Sequence, residues 1–147
     1  MKMTNEEYNE YLKKMSPPSP LGKDMLKAFL VGGIICCIGQ GLIALWGSFG
    51  LSEKDAATAT TITLIFLGAF LTGFGIYDRI AKFAGAGTIV PITGFANSVV
   101  SPALEFKSEG LITGTAVKMF TISGPVIVFG LSASVIYGII LVLFGLA

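Results

Sequence analysis

Apolar and charged positions are segregated along this chain. Asp, Glu, Lys and Arg are missing from four windows: Ala28–Ser52, Ala56–Tyr77, Phe83–Leu104 and Met119–Ala147. Each reaches the roughly 20 residues that a helix needs to cross a bilayer. Three read as ordinary spans: about Met25–Trp46, about Ala56–Tyr77, and the run that starts at Met119. The window Phe83–Leu104 does not. Gly85, Gly87, Pro91, Gly94 and Pro102 interrupt it, and Thr88, Thr93, Asn97, Ser98 and Ser101 load it with polar side chains. Backbone at membrane depth must satisfy its own hydrogen bonds. Non-helical backbone is tolerated there only where protein buries it or water wets it. A broken, polar, uncharged stretch among clean apolar ones is therefore the expected solute path.

The remaining pattern predicts helices throughout. Residues 1–20 form a polar arm, in which Thr4 or Asn5 can cap a short helix with Glu6 and Glu7 in its first turn. Tyr8, Tyr11, Leu12 and Met15 then make one apolar stripe, and Glu10, Lys13 and Lys14 the opposite face. Such a helix suits a membrane surface or a partner. Ser16–Pro20 (SPPSP) ends it as a stiff linker, and residues 21–147 are the membrane domain. The first span carries Lys23 and Lys27 at its near end and Trp46 at the far interface. Small residues recur every four positions, as Gly32, Cys36, Gln40, Ala44 and as Gly33, Cys37, Gly41, a pattern that lets helices approach closely in lipid. Gln40 is costly at depth unless it is paired with another helix or faces water.

Ser52 can cap the second span, with Glu53 and Asp55 in its first turn. Thr58, Thr60, Thr61 and Thr63 fit a helix whose hydroxyls bond the preceding turn's carbonyls, and Gly68 and Thr72 make a close-packing pair. Asp78, Arg79 and Lys82 mark the return to the first side. Ala84–Gly87 (AGAG) stops that helix. Thr88 is the expected cap of a new one, Pro91 belongs in its first turn, and the helix is expected to run to about Lys107. Starting inside the membrane window, it would turn N–H groups and a positive dipole end inward, toward an anion. The final apolar run is too long for one straight crossing, so a kink is expected at Gly124–Pro125. Gly130, Ser134 and Gly138 repeat the small-residue face.

Lys and Arg set the topology. Lys2, Lys13, Lys14, Lys23 and Lys27 lie on the arm's side, only Lys54 lies in the first loop, and Arg79 and Lys82 are back with the arm. Lys107 and Lys118 keep that rule if residues 84–104 dip in and return. The expected fold is thus all-α and polytopic, with three to four transmembrane helices and a discontinuous or re-entrant segment at 84–104.

Composition narrows the chemistry. The chain of 147 residues is 53% hydrophobic and only 13% charged, where a soluble domain carries about 25% charged residues. A net charge of +1 supplies no field for nucleic acid. There is no His, which removes the commonest general base and metal ligand, so neither a metal nor a cofactor is expected. Cys36 and Cys37 are neighbours about 100° apart on a helix and are poor disulfide partners. The polar first 27 residues are not expected to act as a cleavable signal. Asp78, Glu105, Glu109 and the two cysteines form no recognisable nucleophile–base pair, so no enzyme is expected.

Lys27–Gln40 (KAFLVGGIICCIGQ), Thr63–Gly87 (TLIFLGAFLTGFGIYDRIAKFAGAG) and above all Ala84–Ser98 (AGAGTIVPITGFANS) resemble the SpoVA family of stage V sporulation membrane proteins, nearest its AC type. The sister AE type shares VGG…IGQ and VPIT but lacks the charged arm. The resemblance covers nearly the whole chain. It implies movement of dipicolinic acid, with its calcium, across the spore inner membrane, inward in sporulation and outward in germination. The amino terminus would lie on the cytoplasmic side. Implied partners are the AE-type protein and the soluble, dipicolinate-binding AD-type protein.

Dipicolinate is a flat aromatic dicarboxylate, and no window holds a Lys or Arg that would grip it permanently. That suits a conduit, because a solute that binds too well does not leave. The path is then expected along Thr88, Pro91, Thr93, Asn97 and Ser98, with Gly85, Gly87 and Gly94 letting backbone approach the solute. Gln40 is a further candidate, and Arg79 and Lys82 would attract anions at the mouth. Close helix packing is the competing reading of the same glycines, and interfacial anchoring that of the two cations. Three or four spans do not enclose a water-filled pore, so an oligomer is expected, alone or with the AE-type protein. The contrasting function is a non-conducting scaffold that recruits soluble partners through its arm.

Overall fold

The computed structural model describes residues 4–15 and 20–145. Ser16–Ser19 of the linker, and the side chains of Lys13 and Lys14, lie outside them. Every described element is helical. Helix α1 (Asn5–Met15) opens on a reciprocal capping box: the Thr4 N–H donates to Glu7 Oε2 at 2.9 Å and the Glu7 N–H to Thr4 Oγ1 at 3.4 Å. Hydrogen bonding to Thr4, through its backbone N–H first and its side chain second, holds the Glu7 carboxyl below its ordinary pKa. Of the two candidate caps the structure uses Thr4. The stripe Tyr8, Tyr11, Leu12, Met15 is exposed.

Helices α2 (Leu21–Ser48) and α3 (Glu53–Gly73) form an antiparallel hairpin of two membrane-length rods. Ser52 caps α3, accepting from the Asp55 N–H at 3.3 Å while its hydroxyl donates to the Asp55 carboxylate at 2.7 Å. Ser52→Ala is expected to cost about 1 kcal/mol, read as a lower unfolding midpoint in mild detergent. Thr58, Thr61 and Thr63 donate to the carbonyls of Lys54, Ala57 and Ala59, four residues back, as the Thr-rich pattern predicted, whereas the buried Thr60 hydroxyl, also expected to bond back, has no partner among the described residues. The buried seam of α3 is Ala56, Thr60, Gly68 and Thr72, spaced in multiples of four.

The second span ends earlier than the apolar window suggests. Gly75 takes φ +66° and breaks the chain after Gly73, so Tyr77 belongs to a separate short helix, α4 (Ile76–Ala84). Gly85, at φ +53°, ends α4 as the AGAG stretch predicted. A single turn, α5 (Ala86–Ile89), precedes α6 (Ile92–Glu105). Two local expectations are corrected here. Thr88 caps nothing: its hydroxyl donates to Gly85 O at 2.9 Å. Pro91 is the N-cap of α6, at φ −66° and ψ 158°, and lies outside the first turn. Helix α6 also stops at Glu105, short of Lys107, and a 3-10 turn (Lys107–Glu109) follows.

Leu111–Ala116 is a π-helical turn that leads into α7 (Val117–Leu143). A wide turn fits there because Gly114 packs on the Phe106 carbonyl, where a Cβ has no room. Pro125 lies inside α7, and helix continues on both sides of it. Helix α7 packs chiefly on α6 and on the π-turn, and Ser123 is its one buried residue. Among the described residues, three helical stretches are long and apolar enough to cross a membrane: Leu21–Ser48, Glu53–Gly73 and Leu111–Leu143.

Candidate solute path along the broken segment

The broken segment is placed by two glycine contacts. Gly87 lies on the backbone of Ala28, so that an added Cβ would meet Ala28 O and sit 2.8 Å from Ala28 Cα, and Gly32 faces Gly87 from the next turn of α2. Val90 and Pro91 share a groove with Gly32, Gly33 and Cys36 further along α2. So the chain runs inward beside α2 from Gly85 to Pro91. It then reverses. A Cβ on Gly68 of α3 would meet Thr93 O at 2.9 Å and Ala96 Cβ at 3.3 Å, and one turn later Thr72 meets Asn97. Helix α6 therefore runs parallel to α3, back toward the arm's side. Cys36 is nine residues past Lys27, so the tip reaches about 14 Å beyond that lysine, roughly half of a 30 Å hydrocarbon layer. The segment is re-entrant, and Lys107 and Lys118 return with it to the arm's side.

Hydrogen bonds hold the re-entrant loop shut. The Tyr77 hydroxyl donates to the Thr88 carbonyl at 2.9 Å and lies 2.9 Å from Thr93 Oγ1. Its one proton serves the carbonyl, so Thr93 donates to the phenol oxygen. Tyr77 is 3% exposed and Thr88 1%, so this clasp is dry. Gly94 packs on the Thr88 and Ile89 carbonyls, the latter 2.9 Å from where a Cβ would stand. The Thr72 hydroxyl donates within reach of two oxygens, Gly68 O at 2.7 Å and Asn97 Oδ1 at 2.8 Å, its one proton shared in a three-centre bond. The Asn97 NH2 is left free among the described residues.

The outer face of α6 lines a cavity of about 450 Å³. Gly94, Asn97, Ser98, Ser101 and Glu105 form one stripe down it, at helical spacing, from the tip to the arm's side. Ala81 of α4, Ile89 of α5 and Ile122 of α7 supply apolar walls. Ser98 donates to Phe95 O at 2.7 Å. The N–H groups of the break are largely engaged within it: Thr88 with Gly85 O at 3.1 Å, Val90 with Ala86 O at 3.3 Å and Gly94 with Pro91 O at 2.9 Å.

Thr88, Gly94, Asn97 and Ser98 are thus brought together at the cavity, and Thr93 lies just behind them in the clasp. The other candidates lie elsewhere. Gly85 and Lys82 line a separate groove between α4 and the start of α2, beside Asp24 and Lys27. Arg79 is exposed on α4, and Gly87 and Pro91 face α2. Gln40 is exposed on α2 and has no side-chain hydrogen bond among the described residues. Tyr77, Ser101 and Glu105 were absent from the sequence-based site. Their signal is the period: once α6 starts after Pro91, 94, 97/98, 101 and 105 fall on one face. Among the described residues no three His, Cys, Asp or Glu side chains converge as a metal site.

Comparison with known proteins agrees with the resemblance carried by the motifs. No solved structure matches this chain. Stage V sporulation protein AC of Bacillus subtilis (strain 168) is 55% identical over 141 residues, covering 94% of each chain. Residues 24–140, which include both halves of the hairpin, the re-entrant loop and nearly all of α7, match the SpoVAC/SpoVAEB sporulation membrane protein family, and the chain belongs to that family.

Proposed function

We propose that this protein is a channel subunit that moves dipicolinic acid, with its calcium, across the spore inner membrane during sporulation and germination. The observation that carries the reading is the polar stripe of α6 on a re-entrant loop. Hydroxyls and an amide at that depth are expensive against lipid and useful against a hydrated solute. Thr88, Gly94, Asn97 and Ser98 line the path, Thr93 holds its wall, and Gly85, Gly87 and Pro91 shape the loop that carries it. Arg79 and Lys82 lie to one side of the mouth, where they raise the local concentration of anions.

One copy leaves this stripe open on one side, so the conduit is completed by an oligomer, homomeric or mixed with an AE-type relative. Gln40, exposed and unpaired on α2, is a natural contact for a neighbouring subunit. The exposed stripe of α1 favours a second role beside the first, docking of the AD-type soluble partner on the cytoplasmic side.

Purified protein in liposomes, with and without the AE-type relative, should release trapped dipicolinate. Retention in both preparations would leave the scaffold reading standing. In spores, Asn97→Ala removes the free amide and its tie to Thr72. Release should slow by about fivefold, equivalent to roughly 1 kcal/mol for one hydrogen-bonding group. Wild-type dipicolinate content and release kinetics would move the path away from α6.

A further inference from the structure

On the side of the re-entrant loop that faces α2, two grooves run into one another. The upper groove, of about 360 Å³, lies at the arm's side between the start of α2 and the end of α4. It holds Asp24, Lys27 and Lys82. The lower groove, of about 430 Å³, follows α2 past Gly32, Gly33 and Cys36, with Val90 and Pro91 of the loop opposite. Every side chain on its wall is uncharged. Ala28 and Ala86 line both grooves and so join them.

The upper groove is positive. Lys27 pairs with Asp24 at 3.7 Å and lies over the Phe83 ring at 5.2 Å, which holds its ammonium in the groove. Lys82 has no carboxylate within ion-pair reach among the described residues. Two lysines against one aspartate leave one net positive charge. The lower groove has a small floor and large rims. A Cβ on Gly33 would meet nothing within 4 Å, while Phe29 and Val90 stand out on either side, 77% and 85% exposed. From Ala28 to Cys36 the floor runs about 12 Å, which stays within one leaflet of a 30 Å hydrocarbon layer.

We infer that the joined grooves bind one anionic phospholipid of the arm's-side leaflet, its phosphate at Lys27 and Lys82 and one acyl chain along Gly32, Gly33 and Cys36. Basic pockets between membrane helices on the cytoplasmic side suit anionic headgroups. A free anion would use only the upper groove and leave the lower one to lipid. A zwitterionic lipid would fill the lower groove and leave the net charge of the upper one unanswered. The site shares no lining residue with the cavity along α6, so it stands apart from the conduit reading. Arg79 lines neither groove and stays available to passing anions.

The test is native mass spectrometry of the full-length protein in mild detergent, titrated with phosphatidylglycerol and phosphatidylcholine of matched chains. One phosphatidylglycerol should be retained per chain, favoured about fivefold for one net charge near the surface. Lys82→Gln should bring the ratio of the two lipids close to one, and Asp24→Asn should raise it about fivefold further. Lys54→Gln, exposed in the distal turn, should leave it unchanged. Gly33→Leu places a side chain in the lower groove and should lower retention of both lipids severalfold. Excess glycerol phosphate, a headgroup without chains, should not displace the lipid. Equal retention of the two lipids, a ratio that ignores Lys82→Gln, or displacement by glycerol phosphate overturns the inference. So does a Gly33→Leu protein that keeps its lipid but loses an oligomer, which would give the groove to a second copy. None of these results bears on dipicolinate efflux, which tests the conduit separately.

Discussion

Gly87→Ala is expected to be among the most damaging single-methyl changes in the protein. The new Cβ would meet the carbonyl oxygen of Ala28 and lie 2.8 Å from its Cα, both backbone atoms of a membrane-length helix. A flexible side chain could swing aside, but α2 cannot. The re-entrant loop must instead lift away from α2, and that also strains the Gly32 contact. Overpacking of this kind costs about 1–3 kcal/mol. The readout is the unfolding midpoint in mild detergent, together with accumulation in the membrane. Ala28→Gly should not rescue it, because the clash is with main chain. Gly22→Ala, with no atom within 4 Å of its added methyl, is the matched control and should be neutral. A wild-type midpoint for Gly87→Ala would mean that the loop does not rest on α2 as described.

Tyr77→Phe is the second large effect, and it separates packing from hydrogen bonding. The ring stays and the hydroxyl goes. The Thr88 carbonyl and the Thr93 hydroxyl then lose their partner in a site where Tyr77 is 3% exposed. Leaving such groups unpaired costs about 1–3 kcal/mol. Because the clasp ties the inward and outward arms of the loop to α4, its loss should also raise basal leakage of dipicolinate from liposomes. Tyr137→Phe, on an exposed stretch of α7, should change neither stability nor leakage. Stability lost without leakage would make the clasp a structural element only. Leakage unchanged and stability unchanged would remove it altogether.

The spans were legible because charge segregation alone marks them, and no detail of packing is needed to see it. The existence of the loop was legible for the same reason, since Gly85 and Pro91 break a window that is otherwise long enough to cross. Phase was harder to read. Proline's φ near −65° suits both the first helical turn and the residue before it, and only the ψ of 158° at Pro91 separates them. The helical period that joins 94, 97/98, 101 and 105 runs on past the break, and the expected path stops at Ser98, short of Ser101 and Glu105. Tyr77 was hidden for a different reason. Phe74 and Ile76 continue the apolar run past Gly73, so the tyrosine looks like the last residue of a span. Its partners at 88 and 93 come from a later part of the chain, and periodicity within one helix says nothing about them. The sequence suggests that Gly87 makes room for a solute, and the structure gives it a neighbour, Ala28, that fills the room.

The re-entrant loop has a consequence for how the two leaflets are used. Its breaks, its proline turn and its hydroxyl-lined face all sit in the half of the bilayer nearer the arm. The opposite half is crossed by continuous rods joined by one short turn around Phe49–Ser52. Permeation must then be decided by separate events on the two sides: desolvation and choice of solute within a single chain near the arm, and a seam between chains in the distal leaflet. Reagents that act on the loop will need access from the arm's side, whereas those that act on the seam will work by holding neighbouring copies together.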